Sequence, residues 1–316
     1  MSNMHGMVNE EKDEQQLTTI DLSNIWSGGI EMAIQVFSDS TSYIDEKTQN
    51  ELNIRLLQLS VHFPDESFKE NEVDQKYFYS KVEMTGIIPT SSQPSQGEIY
   101  QAFKEVVVRG DEVLAIFISS AMSGTYATAI KTKEQLLQEF PQARIEVVDS
   151  YTNCMALGLQ VIAAAEVVRD GGGMEEALEA AAETRKNVHF YFVPETLEYL
   201  KKGGRIGTAS ALLGSILKIR PILTVDMSNG MTHLLEKARG ASAAVARMLE
   251  LLEEDYRQKG LKALVVHHIN APERGRKLRD TLVEKYHMPV DLCSIGPVIG
   301  IHTGLGTIGF VYCTNS

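Results

Sequence analysis

The residues best suited to chemistry lie between Phe117 and Tyr126, where an apolar run ends in Ser-Ser-Ala-Met-Ser-Gly-Thr. Ser123, Gly124 and Thr125 precede a segment with the apolar spacing of a helix. The unpaired N–H groups and the positive dipole end at a helix N-terminus favour a carboxylate or phosphate, and a glycine lets a ligand approach the backbone. The pattern predicts a small anion site. Taken alone, however, a serine at this position is more often a helix cap.

The same pattern recurs at the ends of two other predicted strands. Strands near residues 33–38 and 145–149 end in Asp39-Ser-Thr and Asp149-Ser, and a helical pattern follows each of them. In an open α/β sheet, ligands bind outside the carboxyl ends of the strands. We therefore expect hydroxyl groups to gather at one edge of a sheet and to form a site there.

A fourth group of hydroxyls precedes another predicted helix. Ser95 and Glu98 have the spacing of a capping box, which gives Ser95 a structural role. Thr90, Ser91 and Ser92 lie in the loop before it and remain available to bind a ligand.

Composition excludes several classes of function. The chain has 316 residues, of which 43% are hydrophobic, and a formal net charge of -12. This charge argues against a general affinity for nucleic acid or for an anionic membrane. No uninterrupted apolar stretch approaches the ~20 residues of a membrane span, so we expect no stable membrane insertion.

The cysteines and histidines do not indicate a metal site. Cys154, Cys293 and Cys313 share no metal-ligand spacing and fit the reducing environment of a cytoplasmic protein. His267 and His268 are neighbours on a predicted strand and would point to opposite faces, so we expect no shared metal.

The order of the predicted elements indicates two domains. Residues 1–30 are polar and unpatterned and predict a mobile extension. Within residues 31–172, strands alternate with helices, one of them over 45–58, which predicts a mostly parallel sheet with flanking helices. Residues 173–316 mix helices with a hairpin and predict a second, α+β domain, whose final strands could pack back on the first. The fold class is therefore α/β with a second α+β domain, and we expect a ligand in the interdomain cleft.

Six short motifs occur in the order typical of one protein family. They are Asp39-Ser-Thr, Ser91-Ser-Gln-Pro-Ser95, Ile118-Ser-Ser-Ala-Met-Ser-Gly-Thr-Tyr126, Val148-Asp-Ser150, Leu200-Lys-Lys-Gly-Gly-Arg-Ile206 and Gly296-Pro-Val-Ile-Gly-Ile-His-Thr-Gly304. On these motifs, the chain resembles the DegV family of bacterial fatty-acid-binding proteins from about residue 33 to about residue 312.

The resemblance implies a binding protein rather than an enzyme. Proteins of this family are similar to the binding subunit of a fatty acid kinase, which buries one long-chain fatty acid with its carboxylate held by hydroxyls at the domain interface. A separate ATP-dependent kinase subunit then makes the acyl phosphate. The chain itself has no Walker A sequence, and the resemblance implies no cofactor besides the bound fatty acid.

The family's site residues carry over to matching positions of this sequence. Ser123 matches the serine that bonds the carboxylate, and His302 matches the histidine of a terminal His-x-Gly motif that supports it. Ser91 stands where the family usually has threonine, and Thr90 is next to it, so either hydroxyl could be the ligand. Arg205 and Arg239 match basic positions that resemble contacts to the kinase or to phosphate.

Gly124 and Ser92 complete the predicted carboxylate site. Leu305 departs from the family pattern, which commonly has proline there and a His-x-Gly-Pro-Gly sequence. This change could loosen the turn that orients His302.

The acyl chain would supply most of the affinity. A sixteen-carbon tail offers on the order of 10 kcal/mol from buried methylenes at ~0.8 kcal/mol each, before ordering costs are subtracted. An apolar helix predicted over residues 208–219 carries four residues that could line the tail: Leu212, Leu213, Ile216 and Leu217. Ordinary core packing explains the same four residues equally well.

A serine hydrolase acting on a small ester is the alternative from another class. Ser123 would be its nucleophile and His302 its base, with Asp39 or Asp149 orienting the histidine. The sequence around Ser123 lacks the G-x-S-x-G elbow of such enzymes, which argues against this alternative. A purely structural or regulatory interaction module is a third possibility and would bind no lipid.

Overall fold

The computed structural model of the protein describes residues 32–213 and 219–315. The extension predicted for residues 1–30 therefore lies outside the described residues. The first half of the chain contains, in order, β1 (Ile34–Asp39), α1 (Glu46–Glu51), β2 (Ile54–Leu57), β3 (Ser60–His62), β4 (Ser67–Lys69), α2 (Gln75–Thr85), β5 (Thr90–Ser92), α3 (Gln96–Val107), β6 (Glu112–Phe117), α4 (Thr125–Glu139), β7 (Ile145–Asp149) and α5 (Cys154–Arg169). The second half contains α6 (Met174–Asn187), β8 (Val188–Val193), α7 (Glu198–Lys202), β9 (Ile219–Asp226), β10 (Met231–Arg239), α8 (Ala241–Lys259), β11 (Leu261–His268), α9 (Pro272–Tyr286), β12 (Asp291–Ser294), α10 (Pro297–Thr303) and β13 (Ile308–Thr314).

A parallel sheet forms the first layer of the fold. Its four strands have the order β2-β1-β6-β7. Every residue of β6 is buried, as expected for a strand that is covered on both faces. Helices α3 and α4 cover one face, where Phe37, Phe103 and Leu136 belong to one core. The prediction of a mostly parallel sheet with flanking helices is confirmed.

Two predictions for this half are wrong in part. The helix predicted over 45–58 ends at Glu51, because Asn53 takes a positive φ of 49° and Ile54–Leu57 pairs with β1 as an edge strand. The strand predicted near 59–63 exists as β3, but it belongs to a separate antiparallel sheet with the order β4-β3-β5. Since β5 consists of Thr90–Ser92, these hydroxyls lie on a strand rather than in a loop.

A second, largely antiparallel sheet forms the other half. Its six strands have the order β10-β9-β8-β13-β11-β12, and β11 and β12 are its parallel pair. Helices α8 and α9 cover one face, with Met248, Leu252 and Leu282 in the core. The predicted hairpin is present as β9 and β10. The expected α+β character of this half is confirmed.

Helix α5 lies between the two sheets. Most of its residues are buried. Its Leu157 belongs to an apolar cluster that includes residues of both sheets: Val36 and Ile116 of the first, and Phe190 and Val265 of the second. The described residues from Ala33 onward pack as one compact unit. The domain boundary near residue 172 stays a prediction.

The last helix connects the two halves. Strands β12 and β13 complete the second sheet, whereas α10 contacts α2 and the three-stranded sheet. Val298 N donates to Glu70 Oε1 at 3.0 Å, and the Tyr79 hydroxyl donates to the carbonyl of Ile295 at 2.9 Å. These bonds fix the start of α10, which carries His302 at its end.

The helix predicted over 208–219 is described only in part. Gly207–Leu212 forms a 3₁₀ helix, and Ile219 already belongs to β9. Two predicted tail-lining residues, Ile216 and Leu217, lie outside the described residues. In the part of the chain that is described, no helix is long and apolar enough to cross a bilayer.

Candidate functional site

A cavity of about 380 Å³ lies between α10, the end of β6 and the six-stranded sheet. This volume falls within the ~300–1,000 Å³ of small-molecule sites. Apolar side chains from both halves of the chain form much of its wall, among them Leu59, Ile118, Phe190, Phe192, Val225 and Ile299. Such a wall suits the burial of an aliphatic chain.

Most of the predicted carboxylate-site residues reach this cavity. Ser91, Ser92, Ser123, Gly124 and His302 all border it, although they come from three different segments of the chain. The structure thus brings these five residues together, and their role as ligands stays a prediction.

The neighbouring hydroxyls of β5 point in different directions. Ser91 Oγ lies 2.8 Å from His302 Nε2, whereas Ser92 Oγ lies 2.7 Å from His62 Nε2. This difference follows from the alternation of side chains along a strand. Thr90 is exposed and does not border the cavity. The geometry therefore favours Ser91 over Thr90 as the hydroxyl that faces a ligand.

His302 is a half-buried, neutral ring in this site. Burial, followed by the nearby positive charge of Arg205, lowers the pKa of His302 to about 4. Its Nδ1 has no hydrogen-bond partner among the described residues. A neutral imidazole has one donor and one acceptor nitrogen, so the ring can either donate to Ser91 or accept from it.

Ser123 bonds the helix that follows it and also faces the cavity. The N-cap residue of α4 is Gly124, which makes no side-chain cap bond. Ser123 Oγ accepts from Thr125 N at 3.3 Å and lies 2.9 Å from Thr125 Oγ1. The capping alternative is therefore right in part. A side chain at Gly124 would collide with Gln93, because the Gln93 side chain lies close to the Gly124 backbone.

Arg205 adds a positive charge to the cavity wall, whereas the sequence predicted only a partner contact for this residue. It borders the cavity, its Nε donates to the carbonyl of Met122 at 3.0 Å, and its Nη1 donates to the carbonyl of Gly203. A Cβ atom at Gly203 would collide with His302 Nδ1. The glycine pair in Lys201-Lys-Gly-Gly-Arg205 is the sequence signal for this close approach. Arg239, in contrast, is exposed at the end of β10.

Asp39 and Asp149 stabilise the turns at the strand ends. Asp39 Oδ2 accepts from Ile118 N at 2.8 Å, and Asp149 Oδ1 accepts from Tyr151 N at 2.9 Å. Burial raises the pKa of Asp39, although its hydrogen bonds act in the opposite direction. Neither residue borders the cavity. The expected gathering of hydroxyl-rich strand ends in one site is therefore right only for the end of β6.

The hydrogen bonds of a serine hydrolase are not assembled in the described residues. His302 Nε2 bonds Ser91 rather than Ser123, and no carboxylate bonds its Nδ1. An Asp-His-Ser relay needs both of these bonds.

Comparison with known proteins identifies the family of this chain. The model of the DegV family matches residues 33–315, which is most of the chain. The chain belongs to the DegV family.

Individual DegV proteins are similar along their full length. A DegV domain-containing protein of Clostridium acetobutylicum is 45% identical over 283 residues, which cover 90% of this chain and 98% of that protein. The crystal structure of DegV from Bacillus subtilis, a fatty acid binding protein, has a TM-score of 0.80 at 33% identity and covers 90% of this chain and 100% of its own. A fatty-acid-binding DegV family protein from Thermus thermophilus has a TM-score of 0.79 at 30% identity, with the same coverage. The predicted family and fold class are confirmed.

The two described residues of the predicted tail-lining segment do not border the cavity of this DegV protein. Leu212 is buried and Leu213 is 42% exposed, and neither borders the cavity. The wall instead includes Phe190 and Phe192 of β8 and Ile299 of α10. The alternation of apolar residues in Val188–Val193 is the sequence signal that could have indicated a strand with one face on the cavity.

The two adjacent histidines of this DegV protein face opposite sides of the second sheet, as predicted. The His267 ring packs edge-on against Phe190, with 5.4 Å between centroids. His268 packs against Gly275 of α9, where an added Cβ would lie 2.6 Å from its Cδ2, and it also borders the cavity at the end of β11. Within residues 32–213 and 219–315, no three His, Cys, Asp or Glu side chains are grouped closely enough to hold a metal ion.

Proposed function

We propose that this protein binds a long-chain fatty acid in the cavity and presents the carboxyl group to a separate ATP-dependent fatty acid kinase in the cytoplasm. One observation carries the proposal: Ser91, Ser123, Arg205 and His302 converge on a cavity that is otherwise largely apolar. We call these four residues the polar cluster. The fatty acid binding by similar DegV proteins at 30% and 33% identity supports this ligand class.

The polar cluster offers donors that suit a carboxylate. With its proton on Nε2, His302 donates to Ser91 Oγ, and the Ser91 hydroxyl is then able to donate to a ligand oxygen. The Ser123 hydroxyl is a second donor at the start of α4, where the helix dipole also favours negative charge. Arg205 contributes a positive charge on the same wall. A buried carboxylate would thus keep hydrogen bonds after it leaves water.

The apolar wall offers the complementary half of the site. Phe190, Phe192 and Val225 of the six-stranded sheet line one cavity together with Ile118 from the first half of the chain and Ile299 of α10. Each methylene buried there contributes about 0.8 kcal/mol. The tail would therefore determine affinity, and the polar cluster would determine which end of the ligand is held.

The location of the polar cluster suits presentation to a partner. Gly124 and Ser92, which border the cavity beside the cluster, are exposed, so this part of the site lies near the surface. The bound carboxyl group would be accessible to a second protein there. In this proposal the chain holds the ligand, and the separate kinase is the catalyst.

Unpaired cysteines are consistent with the cytoplasm as the place of action. Cys154, Cys293 and Cys313 are all thiols, as is typical of a reducing compartment.

Mass spectrometry of lipid released from the purified protein tests the binding proposal. We expect a near-stoichiometric long-chain fatty acid in the wild type and clearly less in Ser123→Ala. Thr90→Ala is the matched control and should retain the wild-type amount, because Thr90 is exposed and outside the cavity. A wild-type protein that is empty and takes up no added fatty acid would refute the proposal.

The kinase step needs a variant that leaves the cavity intact. Arg205 borders the cavity, so its substitution changes lipid binding and partner contact together. Arg239→Glu is the cleaner test, because Arg239 is exposed and lies outside the cavity. We expect it to retain fatty acid but to lower acyl phosphate formation with the kinase, whereas Arg257→Glu on the exposed side of α8 should change neither. Unchanged acyl phosphate formation in Arg239→Glu would exclude this contact.

A further inference from the structure

His267 is a polar group of the cavity wall that the proposed function does not use. It is 4% exposed, it borders the cavity, and neither ring nitrogen has a hydrogen-bond partner among the described residues. Buried polar groups are ordinarily paired, because an unpaired one loses its hydrogen bonds to water without replacement. Two unpaired nitrogens on one ring therefore indicate that something else satisfies them.

The His267 side chain is directed to the cavity side of its sheet. Val265 and Ile269, two residues away on either side, belong to the apolar cluster between the sheets. Leu264 and Val266 belong to the cluster on the opposite face, under α8 and α9. The alternation of side chains along a strand thus directs His267 toward the cavity.

A glycine lies beside His267 on the neighbouring strand. His267 pairs with Gly309 of β13, and Gly309 pairs with Phe192 of β8, so the three positions form a row across one face of the sheet. All three border the cavity. A Cβ atom at Gly309 would lie 2.5 Å from the carbonyl oxygen of Tyr191 and 2.7 Å from the Cβ of Phe192, so the close packing of β8 requires glycine at this position. The row therefore presents two rings, and no third side chain, to the cavity.

We infer that His267 recognises a hydroxyl group on the chain of the bound fatty acid, so that hydroxylated long-chain fatty acids belong to the ligand class. This inference rests on the proposed function. A neutral imidazole has one donor and one acceptor, and a hydroxyl group has both as well. A keto group can only accept, and an unsubstituted chain satisfies neither nitrogen. The expected order of preference at this position is therefore hydroxyl, keto, methylene.

The charge state of the ring agrees with a neutral ligand group. Burial, followed by the influence of His268, lowers the pKa of His267 to about 3. The ring is thus uncharged near neutral pH and would not attract a second carboxylate or a phosphate. The ligand carboxylate belongs instead at the polar cluster, which contains Arg205.

Competition binding to the delipidated full-length protein tests the inference. The probes are octadecanoic acid, a series of positional isomers of hydroxyoctadecanoic acid, and the keto acid that corresponds to the best isomer. In the wild type we expect one or two adjacent isomers to bind at least as tightly as octadecanoic acid, and the others to bind more weakly. Position should matter because the ring is fixed while the carboxylate is held at the polar cluster.

Variants at His267 connect the preference to the ring. In His267→Leu, the favoured isomer should lose about tenfold in affinity relative to octadecanoic acid, which corresponds to about 1.4 kcal/mol. His267→Gln retains a donor and an acceptor and should preserve part of the preference. His189→Gln is the matched control and should leave the ratio unchanged, because His189 belongs to the same sheet but does not border the cavity.

The outcomes separate the inference from the proposed function. Binding of octadecanoic acid without any positional preference overturns the inference alone, and so does a preference that His267→Leu retains. Failure to bind either class of acid overturns the inference together with the proposed function. If His267→Leu does not fold, the wild-type isomer profile and His267→Gln decide the question.

Discussion

The polar cluster and the wall around His267 are two regions of one cavity that differ in how their polar groups are satisfied. Ser91 bonds His302, and Arg205 bonds two backbone carbonyls. His267 has no such partner among the described residues. The cluster is assembled from strand ends, a helix end and a glycine turn, whereas the wall is the regular face of a sheet. Protein groups thus hold Ser91 and Arg205 in place before any ligand arrives, whereas no protein group among the described residues bonds either ring nitrogen of His267.

Shortening the ligand should give the largest effect, because it removes contacts to the apolar wall alone. Octadecanoic and dodecanoic acids differ by six methylenes, and at ~0.8 kcal/mol each the upper bound of the difference is about 5 kcal/mol. We expect the shorter acid to bind at least about a hundredfold more weakly in a competition titration. Nearly equal affinities would show that the polar cluster, and not the wall, supplies the binding energy.

Acid should destabilise the protein through His302 of the polar cluster. Its pKa is about 4 in the folded protein and ordinarily 6.5, so the unfolded chain binds more protons between these values. The free energy of unfolding should therefore fall as the pH drops from 6.5 to 4, by up to about 3 kcal/mol from this ring.

His302→Asn is the variant that isolates this contribution. Urea unfolding across the pH range should show a flatter profile in the variant than in the wild type. Parallel profiles would mean that His302 is not buried as a neutral ring.

Removing one hydroxyl from the polar cluster should weaken binding of acids selectively. A hydrogen bond to a charged group contributes about 1.5–3 kcal/mol, so Ser91→Ala and Ser123→Ala should each lower the affinity for octadecanoic acid about tenfold or more. Octadecanol has no carboxylate and should be much less affected. An equal loss for both ligands would indicate a general change of the cavity instead of a lost carboxylate contact.

Leu213→Ala should have the smallest effect on affinity, because this residue lies outside the apolar wall. Leu213 is 42% exposed and does not border the cavity, so the affinity for octadecanoic acid should remain within about twofold of wild type. Phe192→Ala is the comparison, because this buried ring does border the cavity. A large loss in Leu213→Ala would restore the predicted tail-lining role of this segment.

Regular elements with clear end signals could be predicted from the sequence. Strand Val188–Val193 alternates in apolar character, and helix Pro272–Tyr286 begins with a proline at its first turn. The capping box of Ser95 and Glu98 is present as predicted. In contrast, Ile54–Leu57 is too short to be identified by periodicity, and its pairing with β1 decides its structure.

The candidate site could be predicted only where motifs mark it. Ser91 and His302 are 211 positions apart, and their contact depends on the docking of α10 against the three-stranded sheet. The family resemblance supplied both residues, but not the position of Arg205 on the cavity wall. The place of His267 beside Gly309 on the cavity wall depends on the pairing of β11 with β13, which local patterning does not reveal.

A crystal structure of the protein with octadecanoic acid would test the central claim most directly. We expect a carboxylate oxygen at about 3 Å from the hydroxyls of Ser91 and Ser123, with the acyl chain along Phe190 and Phe192. A ligand with its carboxylate away from the polar cluster, or an empty cavity at saturating acid, would contradict the account.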